Sequence, residues 1–345
     1  MHTKITELFN IKYPVLLPGM SWISVPRLVA AVSNAGGLGI LATGPLSSDE
    51  TRKSIKKIRE LTDKPFGIGI TLLMPGSKEN AEVACEEKVP VVNYSLGKGD
   101  WLASKVHEYG GKVIATVVNH KHAKAAEKSG ADALLVTGHE AAAHGGEVTS
   151  LVLIPSIADA VDIPVVATGG FGDGRGLVAA LSLGAEGIAM GSRFSVTKES
   201  PVHNNAKKHT VDKGIEDTIY SNRLDGLYCR MMKTPSAEKA VKKGMNLPKA
   251  ALSSVEISKK LQIPWFKLAM GTVLKGPKML NKLALMATAF DLIDKATNDG
   301  DLETGVHLIG QVQGLISDVP TVGELFDNII NEAKKIKEKT DLMFN

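Results

Sequence analysis

Short runs of Val, Ile, Leu and Ala recur along the first two thirds of the chain, separated by longer stretches in which apolar positions fall three and four apart. The unbroken or alternating runs predict strands at 13–17 (YPVLL), 37–43 (GLGILAT), 65–73 (PFGIGITLL), 89–96 (VPVVNYSL), 113–118 (VIATVV), 133–138 (ALLVTG), 164–170 (PVVATGG) and 187–194 (GIAMGSRF). Intervening segments such as VPRLVAAVSNAGG, HKHAKAAEKSGA and GRGLVAALSLGA are amphipathic and close on glycine, as a helix C-terminus usually does. Runs apolar on both faces mark strands covered by helices on both sides, and right-handed strand–helix–strand crossovers make such strands parallel. Eight units of this kind predict an α/β fold, a (β/α)8 TIM barrel.

The pattern changes after about residue 205. From there to 300 the chain reads as helical, rich in Lys and Met and without strand alternation, and is expected to form a helical lid inserted into the barrel. The tail is expected to hold a glycine-containing helix, a proline break and an amphipathic closing helix that packs back on the barrel. The predicted organisation is therefore a barrel over 1–204, a lid over 205–300 and C-terminal helices over 301–345.

At 345 residues, 43% of them hydrophobic and 23% charged, the chain can bury a full core. No segment approaches the roughly 18 apolar residues of a membrane span, and the N-terminus lacks the apolar run of a signal peptide. Cys85 and Cys229 are too few for a disulfide framework or a cysteine metal site, so a cytoplasmic chain is expected. The net charge of +4 is mild, but residues 201–300 carry 17 Lys and Arg against 9 Asp and Glu. That segment either presents solvated lysine-rich helix faces or attracts anionic ligands.

In a barrel of this type the chemistry sits just past the C-terminal ends of the strands. The seventh and eighth strands there lead into TGGFGDGRG and MGSRF, where backbone N–H groups and a helix start commonly hold phosphate. Gly169, Gly170, Gly191 and Ser192 are the phosphate candidates; the plainer reading is a tight turn. Small residues also collect at Gly19, Gly44, Ala142, Ala143 and Gly145, beside the polarizable Met20. Clearance of that breadth suits a flat ring system, and with one phosphate cradle the combination points to FMN. His144, in GHEAAAHGGE, follows a buried run among small residues and has the titration range of a proton-transfer group. Glu147 could orient it, although a solvated loop position is the commoner fate of such a residue. His139 and His144 do not have the HExxH spacing, and no metal is expected.

These stretches resemble the FMN-dependent (β/α)8 family of nitronate monooxygenases, once called 2-nitropropane dioxygenases, which also includes flavin-dependent enoyl-ACP reductases and NADH:quinone reductases. The likeness rests on PGM (18–20), NAGGLGIL (34–41), LTDKPFGIGITLL (61–73), HEAAAHGGE, ATGGFGDGRGLVAALSLGAEGIAMGSRF (167–194), TKESPVH (197–203) and GQVQGLI (310–316). It covers residue 1 to about 205 and about 300 to the end. The resemblance implies His144 as the catalytic histidine and Gly19, Met20, Gly169, Gly170, Gly191, Ser192 and Gln311 around the flavin. Three departures stand out: Leu17 and Pro18 replace polar or small residues, Gly69 replaces an asparagine that would contact flavin, and Ala143 replaces a glycine. The implied activity is oxidation of nitronates or nitroalkanes with O2. The alternatives are an NAD(P)H-dependent enoyl-ACP or quinone reductase, with NAD(P)H or an acyl carrier protein as partner, and a flavin-binding protein without turnover. A homodimer is compatible with the sequence, and no nucleic-acid or membrane partner is expected.

Overall fold

A computed structural model describes residues 1–142, 144–243, 285 and 289–344. Eight parallel strands close into a barrel in chain order: β1 (Val15–Leu17), β2 (Leu38–Ala42), β3 (Phe66–Thr71), β4 (Val91–Ser95), β5 (Lys112–Val117), β6 (Ala133–Thr137), β7 (Val165–Thr168) and β8 (Gly187–Ala189). Most of the predicted strands are shorter than expected, the last by the most: after Ala189 the chain turns into a single helical turn rather than continuing extended to 194. Around the barrel lie α1 (Lys4–Phe9), α2 (Pro26–Asn34), α3 (Ser48–Leu61), α4 (Ser77–Glu86), α5 (Asp100–Glu108), α6 (His120–Lys128), α7 (Ser150–Ala158) and α8 (Gly174–Ser182).

The period of two along each strand divides the residues between two cores. Outward positions such as Ile68, Val92, Leu134, Ala167 and Ile188 pack on the helices. Inward positions Leu16, Leu38, Ile40, Val91, Ile114, Leu135 and Val166 fill the barrel, and Ile5 and Phe9 of α1 join them from the N-terminal end. Two residues further along four of these strands, the inward side becomes polar: Asn93, Thr116, Thr137 and Thr168. The floor of the barrel is thus apolar and sealed, whereas the C-terminal mouth is lined with hydrogen-bonding groups.

Beyond the barrel come α9 (Ser192–Ser195), α10 (Asn204–Asp212), β9 (Thr218–Ser221), β10 (Cys229–Met232), α11 (Pro235–Lys243) and α12 (Val322–Phe344). The segment expected to be purely helical contains an antiparallel hairpin, β9 with β10, pairing Ser221 with Cys229 and Thr218 with Met232. Each strand has four residues, too few to show an alternation, and they are joined by a seven-residue loop rather than a two-residue turn. Residues 244–284 and 286–288 of the expected lid lie outside the described residues. The glycine-containing helix expected before the proline break is instead an extended stretch, bridged at Leu308 to Met231, followed by a 3-10 turn at Gln311–Leu315.

The closing helix forms as expected. Val322, Leu325, Phe326, Ile329, Ile330 and Ala333 make one buried stripe that lies on α8 and α2. Phe326 packs between Tyr13 and Phe194, each 6.0 Å from its ring centre, and a Cβ on Gly37 would lie 2.6 Å from the Phe326 ring. Among the described residues no helix is long and apolar enough to cross a membrane, and no group of three His, Cys, Asp or Glu is placed to hold a metal ion.

Candidate active site

The loops at the barrel mouth bring most of the sequence candidates together. Pro18, Gly19 and Met20 follow β1, and Ser24 orders this loop by donating to the Pro18 carbonyl at 2.7 Å and accepting the Met20 N–H at 3.0 Å. A Cβ on Gly19 would rest 3.4 Å from the Cα of Gly69, and the reverse contact has the same distance. Met20 reaches across to β8, its sulfur 3.2 Å from where a Cβ on Gly191 would stand.

After β7, Gly169 and Gly170 have φ of +101° and +85°, a left-handed region that disfavours every residue with a side chain. A Cβ on Gly169 would approach the Gly138 carbonyl at 3.0 Å, so β6 and β7 emerge backbone against backbone. Ser192 opens the turn of α9, whose leading N–H groups have no acceptor within the helix. Its hydroxyl accepts the Gly310 N–H at 2.9 Å, which fixes the neighbouring segment and leaves the hydroxyl proton to donate. Gln311 stands at the start of the following 3-10 turn, half-buried, with its N–H on the Glu140 carbonyl at 2.9 Å. The start of α8 is a different matter: Asp173 caps Gly176, and Glu332 of α12 accepts the Gly174 N–H at 2.7 Å. Its N–H groups are met by carboxylates, so the phosphate candidates reduce to the Gly169–Gly170 turn and the start of α9.

His144 lies in the β6–α7 loop with its side chain 30% exposed, and its Nε2 is 2.7 Å from Oδ2 of Asp225. Asp225 sits in the loop between β9 and β10, buried, with its other oxygen accepting the Leu227 N–H at 2.9 Å. The partner of His144 is therefore Asp225, 81 residues away in sequence, and not Glu147, which is exposed to solvent. Ala143 lies outside the described residues.

A family model described as nitronate monooxygenase matches residues 2–98 and 74–332. The chain belongs to the nitronate monooxygenase family. It is an oxidoreductase. It is 37% identical to the (3aS,4S,5R,7aS)-5-hydroxy-7a-methyl-1-oxo-octahydro-1H-indene-4-carboxyl-CoA dehydrogenase of Rhodococcus jostii (strain RHA1), covering 97% of this chain and 96% of that one. A probable nitronate monooxygenase of Staphylococcus saprophyticus is 33% identical over 66% of this chain and 77% of its own length. Among solved structures, FabK from Thermotoga maritima superposes with a TM-score of 0.83 at 36% identity, covering 99% of both chains.

The hairpin is the main feature of this family member's site that sequence reasoning missed. Arg230 donates its backbone N–H to the Ala142 carbonyl at 3.1 Å and its guanidinium to the His139 carbonyl at 3.0 Å and Thr218 Oγ1 at 3.0 Å. Burial pushes the Arg230 pKa down from its ordinary value, against the opposing effect of Tyr220 and Glu140. Tyr220 lies beneath that guanidinium, 5.2 Å from its ring centre, and donates its hydroxyl to the Gly145 carbonyl at 3.0 Å. Glu140 completes the frame from the other side: its carboxylate accepts the Ser150 N–H at the start of α7 at 3.0 Å, and the one Ser150 hydroxyl proton lies between the Glu140 carboxylate (2.8 Å) and the Gly169 carbonyl (2.7 Å). Arg230, Tyr220 and Ser150 lie in no motif, and Glu140, although within HEAAAHGGE, has a pairing that does not show in the sequence.

The departure at Gly69 has a counterpart in the register. Gly69 pairs directly with Asn93 of β4, whose side chain occupies the inward position beside it and donates to the Ile114 carbonyl at 3.1 Å and Thr116 Oγ1 at 3.0 Å. An amide is thus present at the mouth, one strand over. Two surface cavities of about 450 and 240 Å3 lie elsewhere, lined by residues including Lys198, Asp318 and Asp327 in one and His209, Lys233 and Asp301 in the other; neither includes His144 or the glycine turns.

Proposed function

We propose that the chain is an FMN-dependent oxidoreductase acting on the thioester of an anionic carrier such as coenzyme A, with His144 as its proton-transfer residue. The observation that carries this reading is His144 in the loop after β6, held by a buried carboxylate at the same end of the barrel as the side-chain-free positions Gly19, Gly69, Gly169 and Gly170. The residues present fit the cofactor. Met20 offers a polarizable surface against an aromatic ring, the Gly169–Gly170 turn and the leading N–H groups of α9 suit one phosphate, and Asn93 and Gln311 supply amides at the mouth. FMN, when bound, supplies the electron relay between donor and acceptor. The residues around it would orient the substrate carbon beside the thioester carbonyl toward His144, which delivers its proton there.

Similarity over nearly the whole chain to a carboxyl-CoA dehydrogenase favours the thioester, as does the basic charge of residues 201–300. NAD(P)H serves as the electron donor in this reading. Oxidation of a nitronate with O2 is the second reading, favoured by the family model. The deciding experiment is anaerobic stopped-flow absorbance of the purified protein mixed separately with NADH, NADPH, an enoyl-CoA and propionate 3-nitronate. Flavin bleaching by NAD(P)H and recolouring by the enoyl-CoA supports the thioester reading; bleaching by the nitronate alone overturns it in favour of the monooxygenase.

Two predictions follow from the site. Heat denaturation should release FMN and not FAD, because a single phosphate cradle is present and no GxGxxG dinucleotide unit accompanies it; chromatography of the supernatant reads the outcome. In addition, kcat/KM for NAD(P)H or the CoA thioester should fall several-fold between low salt and about 0.5 M salt while kcat changes little, since screening acts beyond a Debye length of about 8 Å at physiological ionic strength. The paired change Lys242→Glu and Lys243→Glu should reproduce the loss at low salt. A neutral nitroalkane should show neither effect, and rapid salt-independent turnover of it would mark the lysines as solvated surface only.

A further inference from the structure

We infer that Asp225 is a positioning residue that fixes the tautomer of His144, so that Nδ1 is the nitrogen that exchanges a proton with the substrate. This deepens the proposal above and rests on His144 as the proton-transfer group.

A carboxylate accepts hydrogen bonds and has no proton to donate. With Oδ2 of Asp225 2.7 Å from Nε2, the shared proton therefore resides on Nε2, and neutral His144 carries its lone pair on Nδ1. Nδ1 has no hydrogen-bond partner among the described residues, and the side chain is 30% exposed. Asp225 is itself immobilised, because its Oδ1 closes a turn onto the Leu227 N–H and the residue is only 6% exposed. The hairpin carrying it is fastened to the histidine loop on both sides of His144, by the Arg230 N–H on Ala142 and the Tyr220 hydroxyl on Gly145.

In the oxidative direction, the one a nitroalkane would take, the Nδ1 lone pair accepts a proton from a carbon beside a carbonyl or nitro group. The C–H bond breaks, its electron pair stays on the substrate, and an Nδ1–H bond forms on an imidazolium balanced by Asp225. In the reductive direction, the one NAD(P)H drives in the thioester reading, that N–H bond breaks and the proton passes to the substrate carbon beside the carbonyl, leaving the lone pair on Nδ1. A hairpin that moved away would free the imidazole to rotate and to change tautomer.

The test is two-bond 1H–15N correlation NMR of full-length protein labelled at histidine, with the His144 signals assigned by loss in His144→Asn, alongside steady-state kinetics. The unaltered chain is expected to show Nε2 protonated and Nδ1 bare in the neutral form. In Asp225→Asn the amide can donate to Nε2, so the tautomer should switch to Nδ1–H. There kcat should fall about 100- to 10,000-fold, the loss expected when a proton-transfer histidine is held in the wrong tautomer, with KM within twofold. Asp225→Glu keeps a carboxylate and should keep the Nε2–H tautomer with a smaller loss of kcat. It carries the test if the asparagine variant fails to fold. An Nδ1–H tautomer in the unaltered chain, or an unchanged kcat in a folded Asp225→Asn protein, overturns the assignment. Failure of the functional reading looks different: His144→Ala would then retain full turnover whatever tautomer NMR reports.

Discussion

His144→Ala is expected to lower turnover per flavin about a hundredfold or more while flavin content stays near that of the unaltered chain. The magnitude is that of losing one positioned acid or base, about 3 kcal/mol of transition-state stabilisation. The cofactor should survive because the features that suit it lie on other elements: the β1 loop ordered by Ser24, the Gly169–Gly170 turn, and the start of α9 tied through Ser192 to Gly310. The histidine loop itself remains anchored by Glu140, Arg230 and Tyr220, none of which bonds to the His144 side chain. Kinetics normalised to flavin absorbance check this. Loss of flavin with undiminished activity per remaining flavin would show that His144 is structural.

The second large effect concerns stability. His307 is 1% exposed, both of its ring nitrogens lack a hydrogen-bond partner among the described residues, and burial lowers its pKa to about 4. The unfolded chain takes up this proton near pH 6.5 and the folded chain only near pH 4, so across that window the unfolded state binds more protons and stability must fall as pH falls. From this group alone the loss at pH 5 relative to pH 7.5 is about 2 kcal/mol, and it approaches about 3 kcal/mol at still lower pH. Urea denaturation of the unaltered chain and of His307→Leu at both values checks it. The leucine variant, which removes two unpaired buried nitrogens, should be at least as stable at pH 7.5 and should lose this part of the pH dependence. Equal slopes for the two proteins would place the acid sensitivity elsewhere.

Much of this molecule was legible in the chain because its determinants are local. The eight strands follow from apolar runs of three to six residues, the closing helix from a stripe at 322, 325, 326, 329, 330 and 333, and the position of His144 from its place in the loop that follows a strand. The glycines at 169 and 170 announce themselves because only glycine adopts their backbone angles without strain. The hairpin of β9 and β10 gave no such signal, since four-residue strands ending in Cys-Arg-Met-Met have no readable period.

What tertiary structure decided are the pairings between distant segments. Asp225 reaches His144 across 81 residues, Arg230 reaches His139 across 91, and Glu332 reaches Gly174 across 158. An aspartate in a polar loop looks like any other solvated aspartate until the fold buries it against an imidazole. The same holds for Asn93, which becomes the neighbour of Gly69 only when β3 and β4 align in parallel register. The placement of His144 in the loop after β6 was therefore legible in the sequence, set by one strand and the segment that follows it. Its orientation is a property of the closed barrel, because a hydrogen bond depends on distance in space and carries no trace in the spacing of residues along the chain.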